Sequence, residues 1–204
     1  MHIVCLDLEG VLIPEVWIAF ARETGIDGFT RTTRDEPDYD KLMRYRLDLL
    51  RQHGLKLPDI QAVIARMRPL DGAREFLDGL REHYQVVILS DTFYEFAAPL
   101  MRQLGLPTLF CHKLIVDDAG HVVDYRLRQP DQKRHAVNAL KGLNFRVMAA
   151  GDSYNDTGML QAADAGFFIH APEHIAAQFP QFAVHHDYAG LRRSFDAAAA
   201  GFSS

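Results

Sequence analysis

The sequence predicts an α/β fold: a doubly wound parallel sheet with a Rossmann-like core and an α-helical cap inserted after the first strand. Three observations predict it. From about residue 70 onward, apolar runs alternate with helical patterns, the grammar of strand–helix–strand units with helices on both faces of a parallel sheet. The first apolar run, Ile3-Val4-Cys5-Leu6, is followed by four helical patterns before the next strand, three of them ahead of Pro69. Three of the apolar runs end in acids, at Asp7, at Ser90-Asp91 and at Gly151-Asp152.

Each element carries its own signal. In "PEVWIAFARETGI", Pro14 suits a first helical turn and Gly25 a helix end. "TRTTRDEPD" is polar and turn-like. "YDKLMRYRLDLLRQHG" is a second helix closed by Gly54, "LPDIQAVIARM" a third with Pro58 near its start, and "LDGAREFLDGLREH" a fourth. "YQVVILSD" reads as a buried strand and "FYEFAAPLMRQLG" as the helix after it. "CHKLIVDDAGHVVDYRL" alternates around Asp118-Ala119-Gly120, a hairpin signal. Then follow the helix "PDQKRHAVNALKGL", the strand "FRVMAAGDS", the helix "NDTGMLQAADA", the strand "GFFIHA" and a closing helix, "YAGLRRSFDAAAA". The predicted division is a core of residues 1–13 and 70–204 with a cap of residues 14–69.

Composition narrows the function. The 204 residues suffice for one sizeable domain with an inserted module, and a hydrophobic fraction of 48% supports a packed core. A net charge of −5 offers no surface for nucleic acid or an anionic membrane. Cys5 and Cys111 form no CxxC pair and read as free thiols of a reducing compartment. No apolar stretch is long enough to cross a bilayer and no signal peptide is visible, so a cytoplasmic protein is expected.

The strand-end acids carry the chemistry. Ligands of open parallel sheets bind beyond the carboxyl ends of the strands. Asp7 and Glu9 lie two apart and point to the same side of an extended chain. With Asp152 they can ionise together only around a cation. Hard oxygen donors select Mg2+, which keeps several waters and takes one or two carboxylates plus a phosphate oxygen, so a phosphorylated substrate is implied. Lys133, near the start of "PDQKRHAV", fits a lysine that grips phosphate and shields a nucleophile. Ser90 can donate a hydroxyl hydrogen bond to the same phosphate.

"DLEGVL", the "SD" after an apolar strand, a later lysine and "GDSYND" resemble the four motifs of the haloacid dehalogenase-like phosphatase superfamily. "EVWIAFARETGI" and "MRYRLDLL" resemble the cap of phosphoserine phosphatases, and the whole chain resembles the bifunctional group that also transfers phosphate from phosphoserine to homoserine. The resemblance implies that Asp7 is a nucleophile forming an aspartyl-phosphate. It implies that Glu9 protonates the leaving serine oxygen and then deprotonates the acceptor. Mg2+ would be held by Asp7, the backbone carbonyl of Glu9 and Asp152. Ser90, Asp91 and Lys133 would surround the phosphate, Asn155 would order the site, and Asp156 would support it from behind. Two positions depart from the pattern: Glu9 stands where Asp is usual, and Asp91 where phosphoserine phosphatases often have Gly.

The cap residues point to the substrate. In the second helix Leu42, Met43, Leu49 and Leu50 form an apolar stripe with Arg46 in its middle. Arg46 is either a snorkelling side chain or one aimed into the cleft, where its planar fork binds a carboxylate such as that of phosphoserine. Glu15 suits a helix N-terminus; the resemblance sets it instead against the substrate ammonium.

Other signals read as structural. "HAPEH", at residues 170–174, matches a zinc-peptidase pattern that needs one continuous helix, and Pro172 interrupts it. The pair His185-His186 reads as a strand end, Trp17 as cap packing, and Arg44 and Arg66 as solvated. Two competing functions stay open: a phospho-receiver domain, which lacks the cap and the second acid after the first Asp, and a capped phosphatase of another small metabolite, such as a nucleotide.

Overall fold

The computed structural model describes residues 1–33, 35–36 and 38–202. Arg34 and Pro37, in the polar segment read as turn-like, lie outside them. In chain order the elements are β1 (His2–Leu6), α1 (Val16–Thr24), α2 (Tyr39–Gln52), α3 (Leu57–Ile64), α4 (Ala73–Arg81), β2 (Gln85–Phe93), α5 (Tyr94–Gln103), β3 (Thr108–Val116), β4 (Val122–Arg126), α6 (Gln132–Gly142), β5 (Arg146–Gly151), α7 (Thr157–Ala162), β6 (Ala165–Ile169), α8 (Glu173–Ala176), β7 (Ala183–His185) and α9 (Tyr188–Phe202).

The strands form one sheet in the order β4-β3-β2-β1-β5-β6-β7, parallel throughout except for the β3–β4 hairpin. The chain moves outward from β1 to β2, β3 and β4, then returns to the other side of β1 with β5. That reversal lies between β1 and β5 and opens a crevice at their carboxyl ends. Both strands run straight into acids there, Asp7 and Asp152, and Asp7 N–H donates to the Ala150 carbonyl at 3.0 Å.

Strand alternation sends β1 to both faces. Val4 and Leu6 join Ile88, Met148 and Ala150 under α4, α5 and α9, and Phe20 of α1, Met43 of α2 and Ile60 of α3 belong to the same apolar cluster. Ile3 and Cys5 join Val87, Val147 and Ala149 on the opposite face, under α6, α7 and α8. A sheet buried on both faces explains why its inner strands read as continuous apolar runs.

Local chemistry sets the helix starts. The Asp38 carboxylate accepts the Lys41 N–H at 3.2 Å and opens α2, and Asp59 accepts the Lys56 N–H at 2.7 Å at the start of α3, beside Pro58. Helix α2 rests on the β3–β4 hairpin. Tyr125 OH donates to Asp40 at 2.6 Å, Arg44 pairs with Asp124 at 2.7 Å, and Leu57 N–H donates to the Gly120 carbonyl at 2.9 Å. Arg44 and Arg66 are exposed, and Arg66 pairs with Glu23 at 2.6 Å. Both therefore occupy solvated faces, as the sequence suggests.

Two features depart from the expected pattern. Strand β2 continues past Asp91 to Phe93, with a register shift against β3 between Leu89 and Phe93, so Ser90 and Asp91 sit at an irregularity inside the strand. Such a break re-aims side chains beside a site. The short α8 was not foreseen because four residues are too few to show a period, whereas β7 ends at His185, the strand end read from the sequence. Pro172 precedes α8 in extended conformation, and His170 stands before it at φ 56°, so His170 and His174 do not share a helix. No helix among the described residues is long and apolar enough to cross a membrane.

Candidate active site

A cavity of about 690 Å³ opens at the carboxyl ends of β1, β2 and β5 beneath the helices of residues 14–69. Its lining includes Asp7, Glu9, Glu15, Arg46, Ser90, Asp91, Lys133, Asp152 and Asn155. All the sequence-predicted site residues but one therefore face a single space. Asp156 is the exception: it is fully buried behind the lining.

Lys133 is the hub of the core end. Helix α6 delivers its ammonium 2.9 Å from Asp7 Oδ1, 2.8 Å from Asp156 Oδ1 and 3.7 Å from Asp91 Oδ2. Burial alone would lower the lysine pKa, but Asp156, Asp7 and Asp91 outweigh it and hold the ammonium charged. Asp156 has no free oxygen to spare. Its Oδ2 accepts the N–H groups of Asp152 at 2.9 Å and Ser153 at 3.1 Å, while Oδ1 takes Lys133.

Two glycines make room for these acids. A Cβ on Gly151 would fall on the Asp156 carboxyl group, and one on Gly10 would fall on the Asp152 carboxylate. Gly10 also turns the chain at φ 77°, in the left-handed region that other residues enter at a cost.

The acids crowd each other. Oxygens of Asp7, Asp152 and Asp156 all lie within 4.8 Å of one another, and this is the set of possible metal-holding residues among those described. Burial, Asp156 and Asp152 together push the Asp7 carboxyl well above the usual range, against the pull of Lys133. A divalent cation reverses that balance, and the all-oxygen donor set fits Mg2+. With Asp156 committed to Lys133 and two backbone amides, Asp7 and Asp152 are the carboxylates left to face such an ion.

Glu9 lies between β1 and α1. Its Oε2 accepts the Val16 N–H at 2.9 Å, at the first turn of α1. The methylene that distinguishes Glu from Asp gives the side chain the length for this bond. Desolvation and the neighbouring Glu15 push Glu9 up to about 7, opposed by the Val16 N–H, the Thr92 hydroxyl and Arg46. A carboxyl that titrates near neutrality suits proton transfer in both directions.

The end of the cavity under α1 and α2 is built on Arg46. Leu42, Met43, Leu47 and Leu50 are buried beside it and Leu49 is half-buried, so the apolar stripe is one residue wider than its sequence reading. Arg46 is itself buried and does not snorkel. Its guanidinium lies 4.8 Å from the centre of the Trp17 ring, and Nη2 donates to the Arg31 carbonyl at 2.9 Å. Nε is buried with no hydrogen-bond partner. Desolvation lowers the group to about 10, while Tyr39, Glu9 and Glu15 pull upward, so it is charged at neutral pH. Glu15 precedes α1 but makes no capping bond with its side chain, which leaves the carboxylate to the cavity. Trp17 of α1 is packed, stacked on Phe29 at 5.5 Å, and also lines the cavity under Arg46.

Sequence reasoning missed Thr92, Tyr39, His112 and Gln132, which also line the cavity. Tyr39 OH donates to the Asp91 carbonyl at 3.0 Å. Gln132 donates to the Ser90 carbonyl and, at 3.2 Å, to Asp91 Oδ1. Gln132 adjoins Lys133, and Thr92 adjoins Asp91; adjacency to a predicted site residue was the available signal. Tyr39 and His112 carried none.

The family described as haloacid dehalogenase-like hydrolase matches residues 1–164. "Phosphoserine phosphatase ThrH" of Pseudomonas aeruginosa is 64% identical over 195 residues, covering 96% of this chain and 95% of that protein. A phosphoserine phosphatase of Pseudomonas syringae pv. tomato is 61% identical over 96% of this chain and 82% of its own. A substrate-bound phosphoserine phosphatase complex superposes with a TM-score of 0.78 at 20% identity, covering 95% of this chain and 97% of the other. A phospho-aspartyl intermediate analogue of phosphoserine phosphatase gives 0.74 at 21% identity, covering 90% and 91%. At these identities the two solved structures speak for the fold.

Proposed function

The chain belongs to the haloacid dehalogenase-like hydrolase family, and from that premise we propose that it is a Mg2+-dependent phosphoserine phosphatase that works through an aspartyl-phosphate and also passes the phosphoryl group to homoserine. One observation carries the substrate: the Asp7–Lys133 pair and a buried, charged Arg46 with an unpartnered Nε line the same cavity. A small molecule bearing both a phosphate and a carboxylate satisfies the two ends, and a nucleotide supplies only the first. The two Pseudomonas relatives support the same substrate.

In this reading residues 14–69 act as a cap that places Arg46 on the substrate carboxylate and Glu15 on its ammonium. Ser90 and Lys133 hold the phosphate. Asp7, Asp152 and the Glu9 carbonyl would hold Mg2+, which would supply charge neutralisation for the transferring group. An Asp7 oxygen attacks phosphorus while the bond from phosphorus to the serine oxygen breaks, and protonated Glu9 gives its proton to that oxygen. Water or an alcohol then attacks the aspartyl-phosphate. Glu9 takes the proton of the attacking hydroxyl, and Asp7 leaves as the free carboxylate. Homoserine presents the same ammonium and carboxylate to Glu15 and Arg46.

The test is phosphoserine turnover with and without Mg2+ and with rising homoserine, followed by free phosphate and phosphohomoserine. Phosphate release that needs Mg2+, with phosphohomoserine growing as homoserine is added, is the expected result. Phosphate alone at every homoserine concentration removes the transfer step, and turnover unchanged by chelation removes the metal.

Glu9 gives the pH dependence. It must enter the first step protonated, so kcat/KM for phosphoserine falls as pH rises through its pKa. That pKa is about 7 without cation, and the positive charge of a cation bound beside it lowers it further. The alkaline limb of the profile is therefore expected at or below about pH 7, and Glu9→Gln removes the limb along with most of the rate. A limb that survives in Glu9→Gln assigns the proton to another group.

A further inference from the structure

We propose that His112 is a positioning residue that orients Asp91, and through Asp91 aims Lys133 and Asn155 at the phosphate end of the cavity. His112 is buried in β3, opposite Phe93, where the register of β2 and β3 resumes after its shift. Its ring has no freedom of tautomer. Arg128 N–H donates to Nδ1 at 3.0 Å, which places the ring proton on Nε2. Nε2 lies 3.4 Å from Asp91 Oδ1. The edge of the Tyr39 ring and the Phe93 ring pack against the imidazole, at 6.3 Å each.

Asp91 is thereby divided into two halves. Oδ1 is held from behind by His112 and by Gln132 Nε2 at 3.2 Å. Oδ2 faces the reacting end, where it takes Asn155 Nδ2 at 2.8 Å and stands 3.7 Å from Lys133 Nζ. Burial would raise this carboxyl, but Lys133, His112, Asn155 and Gln132 hold it below the usual carboxylate range. With its oxygens so engaged, an anionic Asp91 beside a phosphate acts on the donors around it. Lys133 has three carboxylates to choose among, and Asp91 is the one whose direction can be set independently of the acidic cluster. Without His112, Oδ1 keeps only Gln132, whose Nε2 is shared with the Ser90 carbonyl, so the carboxylate turns about its own axis and Lys133 and Asn155 lose a fixed partner.

The inference rests on reading Asp7 and Lys133 as the phosphate end, so an aryl phosphate, which needs that end alone, is the substrate. His112→Phe is expected to lower kcat about tenfold, the scale of a lost hydrogen bond to a charged group, with KM moving less than about threefold. His112→Gln keeps a donor and recovers most of the rate. In an Asp91→Gly background His112→Phe costs nothing further, because the partner through which it acts is gone. A loss that persists in that background, or His112→Gln as slow as His112→Phe with an unchanged unfolding midpoint, overturns the proposal. A proton–nitrogen correlation spectrum of the wild-type ring covers the case in which a variant does not fold or the protein releases no phosphate. It is expected to show the proton on Nε2 and a shift of that signal in Asp91→Gly; a proton on Nδ1 overturns the link. Absence of phosphate release from every monoester defeats the functional reading and leaves the ring spectrum to decide this one.

Discussion

Asp7→Asn is expected to abolish turnover, by at least about 10⁴-fold, while the fold persists. The amide keeps the shape and the backbone bond to Ala150 but presents no anionic oxygen to phosphorus. It also presents a weaker ligand to a cation. The structure adds a second expectation. Ionised Asp7 sits buried beside Asp156 and Asp152, with Lys133 as its compensation. Its folded pKa lies above the unfolded value, so ionisation subtracts stability from the metal-free protein as pH rises above the ordinary carboxylate range. Neutral Asn removes that cost together with the pair to Lys133. The metal-free unfolding temperature of Asp7→Asn should then stay close to wild type, while the rise produced by adding Mg2+ should shrink. Phosphate release and thermal unfolding with and without Mg2+ measure both. Residual turnover near that of wild type would falsify the nucleophile assignment, and an undiminished Mg2+ effect would take Asp7 out of the metal site.

Arg46→Ala carries the next largest effect, and it is selective. A hydrogen bond between charged groups contributes about 1.5–3 kcal/mol, so kcat/KM for phosphoserine should fall roughly tenfold to a hundredfold more than for a small aryl phosphate. The residue is well placed to show such a split. Its guanidinium is held over Trp17 and pinned by the Arg31 carbonyl, so little entropy is lost when Nε meets a carboxylate. Arg46→Lys should rescue poorly, because a point charge on a flexible stem cannot copy a planar fork braced on an indole. Parallel steady-state kinetics on the two substrates decide it. Equal losses on both would mean that Arg46 only packs the cap.

The sheet was legible because its strands are buried on both faces and read as unbroken apolar runs, and because their ends are acidic. Asp7 and Asp152 could be placed in one crevice because each closes an apolar strand of a parallel sheet. The hub was less legible. Lys133 was visible as a lysine at a helix start, but its simultaneous reach to Asp7, Asp91 and Asp156 depends on how α6 returns against β2 and β5, a long-range fact that no local pattern contains. Asp91 looked like the end of a strand, and the structure shows it inside one, at a register shift set by pairing with β3. His112 was invisible for the same reason: alternation in β3 marks an inward face and cannot say that the residue across the shift is a carboxylate. Glu9 was noticed as an acid too long by one methylene. What the extra length reaches, the first amide of the cap helix, lies seven residues away across a turn.

The two glycines behind the acids bear on how such a site can change over time. The place of a Cβ at Gly151 is filled by the Asp156 carboxyl group, and that at Gly10 by the Asp152 carboxylate. Each glycine is thus half of a lock whose other half is an acid, and the two halves are heritable only as a pair. A lineage that lost Asp156 could admit a side chain at residue 151. Once it had done so, restoring the acid alone would rebuild nothing, because the space would be gone. Reversion would need two changes in a set order, the glycine first and the acid second, so a descendant that drifts out of this chemistry has no single-step way back.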